Sequence, residues 1–181
     1  DLIFLYVGRL VRDKGINELV YAFKRLLFKN KKFKLLLVGN FEHELDPLKK
    51  DVIDEINSNP NILFVGYQKD IRPYLAISNC FVFPSYREGF PNVILQAGAM
   101  NVPCIVSNIN GCNEIIKNRI NGILISRKDV GELKEAMLKI SKDDDLRNKL
   151  SKNSRQIILK NFDQKSIWES LRNEYKILSN V

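Results

Sequence analysis

At 181 residues and 45% hydrophobic, the chain is long enough for one well-buried α/β domain and too short for two large ones. No stretch approaches the roughly 20 apolar residues that cross a bilayer. The opening Asp1-Leu2-Ile3-Phe4-Leu5-Tyr6-Val7 has neither the basic region nor the cleavage site of a signal peptide, and reads as a strand entered just at a domain's start. The net charge of +8 sits in two blocks: 11 basic against 6 acidic residues over 1–50, and 15 against 9 over 117–181, with 3 against 6 between. Much of the excess falls on helical patterns, at Lys134, Lys139, Lys149, Lys152 and Lys160, and reads as solvated faces. Nucleic acid is therefore not an expected partner, and any membrane contact is expected to be peripheral. Cys80, Cys104 and Cys112 lack metal-ligand spacing and suit a reducing, cytoplasmic setting. His43 is the only histidine, which argues against a His-based metal site or a Ser-His-Asp triad.

Short apolar runs alternate with longer helical patterns. Residues 2–7 are apolar in succession, as a buried parallel strand is, and the loop Gly8-Arg9-Leu10-Val11-Arg12-Asp13-Lys14-Gly15 follows. A helix with Leu19, Ala22, Phe23, Leu26 and Leu27 on one face leads to a strand over 34–38, closed by Gly39-Asn40. A second helix is predicted to open near Pro47 and to stop at Asn59-Pro60. Then come a strand over 62–65, a short helix over 73–78 and a strand over 80–83 halted by Pro84. The next helix is opened by Pro91, where a missing N–H costs nothing. Strands over 103–106 and 123–125 and helices near 130–141, 144–160 and 164–178 complete the chain. Asp143-Asp144-Asp145 lies between two of these helices and is expected to cap rather than to bind metal.

Such alternation predicts right-handed crossovers and a doubly wound parallel sheet of about six strands. Ligands bind beyond the carboxyl ends of strands in sheets of this kind, which brings together the loops 8–15, 39–43, 84–91 and 107–114. Gly8 is not followed by G-x-G-x-x-G, so a dinucleotide site is not expected.

Those loops carry Val7-Gly8-Arg9-Leu10 with Lys14-Gly15, Leu37-Val38-Gly39, Phe64-Val65-Gly66 and Phe83-Pro84-Ser85-Tyr86-Arg87-Glu88-Gly89-Phe90-Pro91-Asn92. Val102-Pro103, Gly111-Cys112-Asn113-Glu114 and Asn121-Gly122 follow in order. The series resembles the C-terminal domain of retaining glycosyltransferases of family four, which have the GT-B architecture of two facing Rossmann-like domains. The resemblance implies one nucleotide-sugar-binding domain over 1–181, with an N-terminal acceptor domain not in this chain. It implies transfer of a hexose-type sugar from a UDP- or GDP-linked donor to a glycan or lipid-linked acceptor, with retention and without a metal or other cofactor. Arg9 and Lys14 would stabilise the leaving diphosphate, whose charge grows as the sugar–phosphate bond breaks. Glu88 would accept hydrogen bonds from the transferred sugar, with Gly89 and Phe90 beside it; capping of the helix that follows is the plainer alternative for that carboxylate. Gly8 and Gly39 would frame the cleft, and Tyr67 and Gln68 the base, chiefly through backbone groups.

Two positions depart from the family. Gln96 stands where a second glutamate would bond the ribose; an amide still accepts from a hydroxyl, without the charge that strengthens the bond. Pro91 replaces a glycine, leaving phosphate contact at that helix start to the N–H groups of Asn92 and Val93. Gly111, Cys112 and Glu114 belong to a sharp turn expected to present N–H groups to the donor, with Cys112 a small neighbour and not a nucleophile. Two further readings stand beside this one: a nucleotide-sugar epimerase or hydrolase of the same architecture, and a non-catalytic basic α/β binding module. The apolar residues of the last helix, Ile167, Trp168, Leu171, Tyr175 and Leu178, would either pack on the sheet or face the missing half.

Overall fold

The computed structural model describes residues 2–28, 32–42, 44 and 46–179, so His43 lies outside the described residues. Six strands, β1 (Leu2–Val7), β2 (Phe33–Val38), β3 (Ile62–Phe64), β4 (Cys80–Phe83), β5 (Cys104–Ser107) and β6 (Gly122–Ile125), pair in parallel in the order β3-β2-β1-β4-β5-β6. Phe4, Leu5 and Tyr6, on alternating faces of β1, are all fully buried, as are Phe81 and Val82 on β4. Burial on both faces is what helices on both sides of a parallel sheet impose. The strand order reverses between β1 and β4, and the crevice above their carboxyl ends is the natural ligand site of this topology.

The helices are α1 (Ile16–Leu27), α2 (Lys50–Ser58), α3 (Arg72–Ile77), α4 (Asn92–Ala99), α5 (Cys112–Ile115), α6 (Val130–Lys142), α7 (Asp144–Asn161) and α8 (Gln164–Ser179). Asp129 and Asp143 accept the N–H groups of Glu132 and Leu146, so the acidic run at 143 opens α7 as a cap. Helix α2 begins at Lys50, not at Pro47. The buried Asn17 of α1 accepts the Lys49 N–H at 3.2 Å and holds the approach to α2 extended. Pro91 adopts ψ 98° as the N-cap of α4, one position earlier than the first helical turn. Helix α5, a single turn, falls where only a loop was expected. On α8, Ile167, Trp168, Leu171, Tyr175 and Leu178 are each more than half exposed, so they do not pack on the sheet.

Two glycines permit the loops over β1, β2 and β4 to close on one another. Gly15 (φ 72°) caps α1, and a Cβ there would lie 2.1 Å from the Pro84 carbonyl oxygen. Gly39 (φ 140°) approaches Gly8 so closely that a Cβ would lie 1.9 Å from its carbonyl oxygen. Left-handed backbone plus collision with main chain leaves a side chain no relief. Gly39→Ala is expected to lower the unfolding free energy by about 1–3 kcal/mol, read from urea denaturation. An unchanged midpoint would show that the two loops part without strain.

Candidate active site

Tyr86 N–H donates to the Asp13 carbonyl at 2.8 Å, so the loops that follow β1 and β4 are fastened by main chain. That fastening, with the close approach at Gly15, carries Lys14 to Glu88 across 74 positions of sequence. Lys14 Nζ donates to Glu88 Oε1 at 2.6 Å, with the two side chains only 15% and 13% exposed. Arg9 donates to Glu42 at 2.9 Å in a more open pair, 51% and 31% exposed. Below them Tyr6, fully buried, donates its hydroxyl to the Arg9 carbonyl at 2.8 Å and stacks on Phe83. Burial, then the charges of Glu88 and Asp13, push the Tyr6 phenol well above its usual range, against a smaller opposing effect of Arg9. It therefore serves as a neutral donor.

These residues wall a cleft of about 610 Å³. Gly8, Arg9 and Lys14 reach it from the β1 loop and Gly39 from the β2 loop. Tyr67 and Gln68 follow from the β3 loop, Glu88 from the β4 loop, and Val93 and Gln96 from α4. Val7, Val38, Phe83 and Val93 give it apolar lining, and Arg9, Lys14, Glu42 and Glu88 charged lining. Gln96 is exposed at the rim. The Tyr67 N–H is occupied by the Asn40 side chain at 3.1 Å, and Gln68 bonds the Val65 carbonyl.

The remaining expected residues lie off this wall. Gly111 N–H is donated to Glu114 Oε1 at 3.0 Å, so the turn closes on itself and does not present that group, a correction to the sequence reading. Cys112 is fully buried behind it. Gly89 is backed by Gly111, whose Cβ would lie 2.1 Å from the Gly89 carbonyl oxygen. Phe90 turns its ring to Phe162 at 5.8 Å, and Asn92 is exposed at the α4 start. Tyr6, Asn40 and Glu42 also line the cleft and were not singled out. Tyr6 reads as an ordinary core residue of a buried strand; only its phenol, placed three residues before Arg9, signals more.

Burial and the nearby Glu88 raise the Cys112 thiol to about 12, with Lys14 opposing. Cys80 and Cys104 are raised by burial too. The reactive thiolate is therefore suppressed at neutral pH and emerges only as pH approaches the raised values. Iodoacetamide at pH 8 is expected to leave all three thiols unmodified in the folded chain and to label them in urea. Labelling of Cys112 without denaturant would show that the turn opens.

The chain is thus a doubly wound α/β domain with opposed charged loops over its switch point. The family model "Glycosyl transferases group 1" matches residues 1–157, and the chain belongs to this family. It is 35% identical over 170 residues to the capsular polysaccharide biosynthesis glycosyltransferase CapM of Staphylococcus aureus, covering 94% of this chain and 44% of that protein. It is also 35% identical to a UDP-Gal:α-D-GlcNAc-diphosphoundecaprenol α-1,3-galactosyltransferase of Escherichia coli, over 90% of this chain and 42% of that protein. Sucrose-phosphate synthase of Thermosynechococcus elongatus superposes with a TM-score of 0.85 and 28% identity, over 99% of this chain and 46% of that one. The chain thus spans under half the length of the curated relatives it matches first. A C-terminal domain of LpcC from Francisella tularensis, solved by itself, superposes with a TM-score of 0.82 at 23% identity, over 90% of this chain and 87% of that one.

Proposed function

We propose that this chain is the donor-binding half of a retaining glycosyltransferase that moves a hexose-type sugar from a nucleoside diphosphate to a glycan or lipid-linked acceptor. The observation that carries this reading is the convergence of Arg9, Lys14 and Glu88 in one cleft at the β1/β4 switch point. The apolar lining suits a base and ribose, and the cationic loop suits a diphosphate. HepE of Anabaena, solved with UDP and with UDP-glucose, has the same fold at TM-scores of 0.86 and 0.83, which lends support to UDP as the nucleotide. The E. coli relative is named for a lipid-linked sugar diphosphate acceptor.

In this reading Arg9 and Lys14 hold the diphosphate and take up the charge it gains as the glycosidic bond breaks. Glu88 orients the sugar hydroxyls, and Gln96 at the rim accepts from the ribose. Arg9 is steadied from below, because the Tyr6 hydroxyl fixes its backbone. The exposed apolar face of α8 meets the N-terminal half that holds the acceptor. Among the described residues no helix is long and apolar enough to cross a membrane. Peripheral contact with the inner membrane face, from the cytoplasm, belongs to this proposal.

Calorimetry of the chain with UDP and GDP, with and without EDTA, tests it. Weak binding of at least one diphosphate that is indifferent to EDTA is expected, because Arg9 and Lys14 supply the countercharge. Strict dependence on a divalent ion would overturn the metal-free arrangement, and no binding of any nucleotide would overturn the donor site. Product formation by the full-length protein from UDP- or GDP-sugars separates transfer from binding alone.

A further inference from the structure

Lys14 reaches the cleft from a weak element. It ends the 3-10 turn Arg12–Lys14, which holds itself by two bonds, Lys14 N–H to the Val11 carbonyl at 3.3 Å and Gly15 N–H to the Arg12 carbonyl at 2.9 Å. Such a turn has poorer hydrogen-bond geometry than an α-helix and leaves its first N–H groups without an internal partner. Val11, at its N-cap, supplies no side-chain bond. Any drift of this backbone is carried to the Lys14 ammonium.

A residue 33 positions beyond Asp13 makes up the deficit. Asp46, in the loop that leads from β2 to α2, accepts the Asp13 N–H on Oδ2 at 2.6 Å and the Arg12 N–H on its carbonyl at 3.1 Å. Its Oδ1 takes the Arg12 Nε at 2.9 Å. The Asp13 carbonyl accepts the Tyr86 N–H, so the turn is held from the β2 and β4 loops at once. The β2 loop also carries Glu42, which pairs with Arg9. One loop thus steadies both cations of the cleft, Arg9 by its side chain and Lys14 through its main chain. Among the described residues, Asp46 does not line the donor cleft; it borders a separate hollow of about 420 Å³ with Arg12, Asp13, Tyr86 and Lys128. The Arg12 side chain is 63% exposed, so water screens its ion pair and the Asp13 N–H is the contact that counts.

We propose that Asp46 is a positioning residue for sugar transfer, one that sets the Lys14 ammonium against the leaving diphosphate by holding the Asp13 N–H. The inference rests on the donor-binding reading, in which Lys14 takes up the charge that grows on that diphosphate. Asp46 touches no substrate in this arrangement and acts through the turn alone. Placement of the ammonium matters most where the charge is largest, so losing Asp46 harms the transition state more than the bound donor.

The test is steady-state kinetics on the full-length protein with a UDP- or GDP-sugar. Asp46→Ala removes the side-chain acceptor and leaves the main-chain bond to Arg12. Because a displacement of about 1 Å can cost on the order of 100-fold, kcat is expected to fall about tenfold, with KM for the donor within about threefold of wild type. Asp46→Asn keeps an oxygen for the Asp13 N–H and deletes the charge; asparagine caps a turn as well as aspartate does, so kcat should recover to within about threefold of wild type. In a Lys14→Ala background, Asp46→Ala should lower kcat by less than about twofold, because the ammonium to be placed is gone. Asp46 is a partly exposed loop residue, so both variants fold, which a thermal melt checks. Wild-type kcat in Asp46→Ala, a tenfold loss repeated without Lys14, or an asparagine variant as slow as alanine would each overturn the positioning role and leave the donor site standing. If Lys14→Ala itself keeps wild-type turnover, the donor reading falls instead. Amide NMR of the 181-residue chain then decides whether Asp46 places Lys14. Asp46→Ala should shift the Asp13, Lys14 and Glu88 amides and Asp46→Asn should restore them, whereas unmoved amides in Asp46→Ala would overturn the placement.

Discussion

In the full-length enzyme, Lys14→Ala is expected to cut kcat on the order of 100-fold or more, the loss found when one preorganised donor to a developing anion is removed. The diphosphate becomes more negative as the sugar departs, so a cation beside it bonds the transition state more strongly than the bound substrate. The effect should therefore fall on kcat more than on donor affinity. Arg9→Ala should act the same way with a smaller loss. Lys14 is held 15% exposed against Glu88, whereas Arg9 is 51% exposed, and water screens a cation in proportion to its exposure. Steady-state kinetics on both variants with a UDP- or GDP-sugar checks the order and the split. Wild-type turnover in both would remove the loop from the mechanism, and losses confined to KM would reduce it to ground-state binding.

The sheet and its crevice were legible in the sequence because each strand is a short apolar run, and the first four are closed by Gly8, Gly39, Gly66 and Pro84. The loops Gly8–Gly15 and Pro84–Pro91 had to fall beyond neighbouring carboxyl ends once the alternation was recognised. Arg9, Lys14 and Glu88 were found through the motif series, and the structure brings all three to the cleft. Their pairing was not legible. Lys14 and Glu88 are far apart in sequence, and their meeting depends on Gly15 passing within backbone contact of Pro84, a distance that no pattern of residue types encodes. Glu42 belongs to none of the motifs, and the fold alone sets it against Arg9. Helix α5 was missed because a single turn has no periodicity, and its stability comes from the Gly111–Glu114 bond and a buried Cys112. The start of α2 was misplaced because a proline admits a helix without requiring one, and a distant side chain, Asn17, decided the matter.

Glu88→Gln is expected to act in opposite directions on the two halves of the reaction. The Glu88 carboxylate lies 2.6 Å from Lys14, and both side chains are largely shielded from water. An arriving diphosphate meets an ammonium already half neutralised, and it meets the carboxylate's repulsion as well. An ammonium has three donors, so it can keep Glu88 and still reach phosphate oxygens; the pair rearranges without having to break. Glutamine preserves the shape and one acceptor oxygen while deleting the charge. At about 6 Å and an effective dielectric of about 20, the removed repulsion is on the order of 3 kcal/mol before screening. Solvent and the loss of the ion pair reduce that to a gain in UDP affinity of about three- to tenfold. Turnover should move the other way. The transferred sugar loses a charge-assisted acceptor for its hydroxyls, and the positive character at its anomeric carbon loses a compensating anion, for a fall in kcat on the order of 100-fold. Calorimetry with UDP and steady-state kinetics on the same variant give the two signs. Unchanged UDP affinity would mean that Glu88 does not restrain Lys14, and weaker UDP binding together with lower turnover would make Glu88 a structural brace of the loop. Tighter binding with slower transfer is the outcome that a carboxylate shared between the waiting cation and the transferred sugar requires.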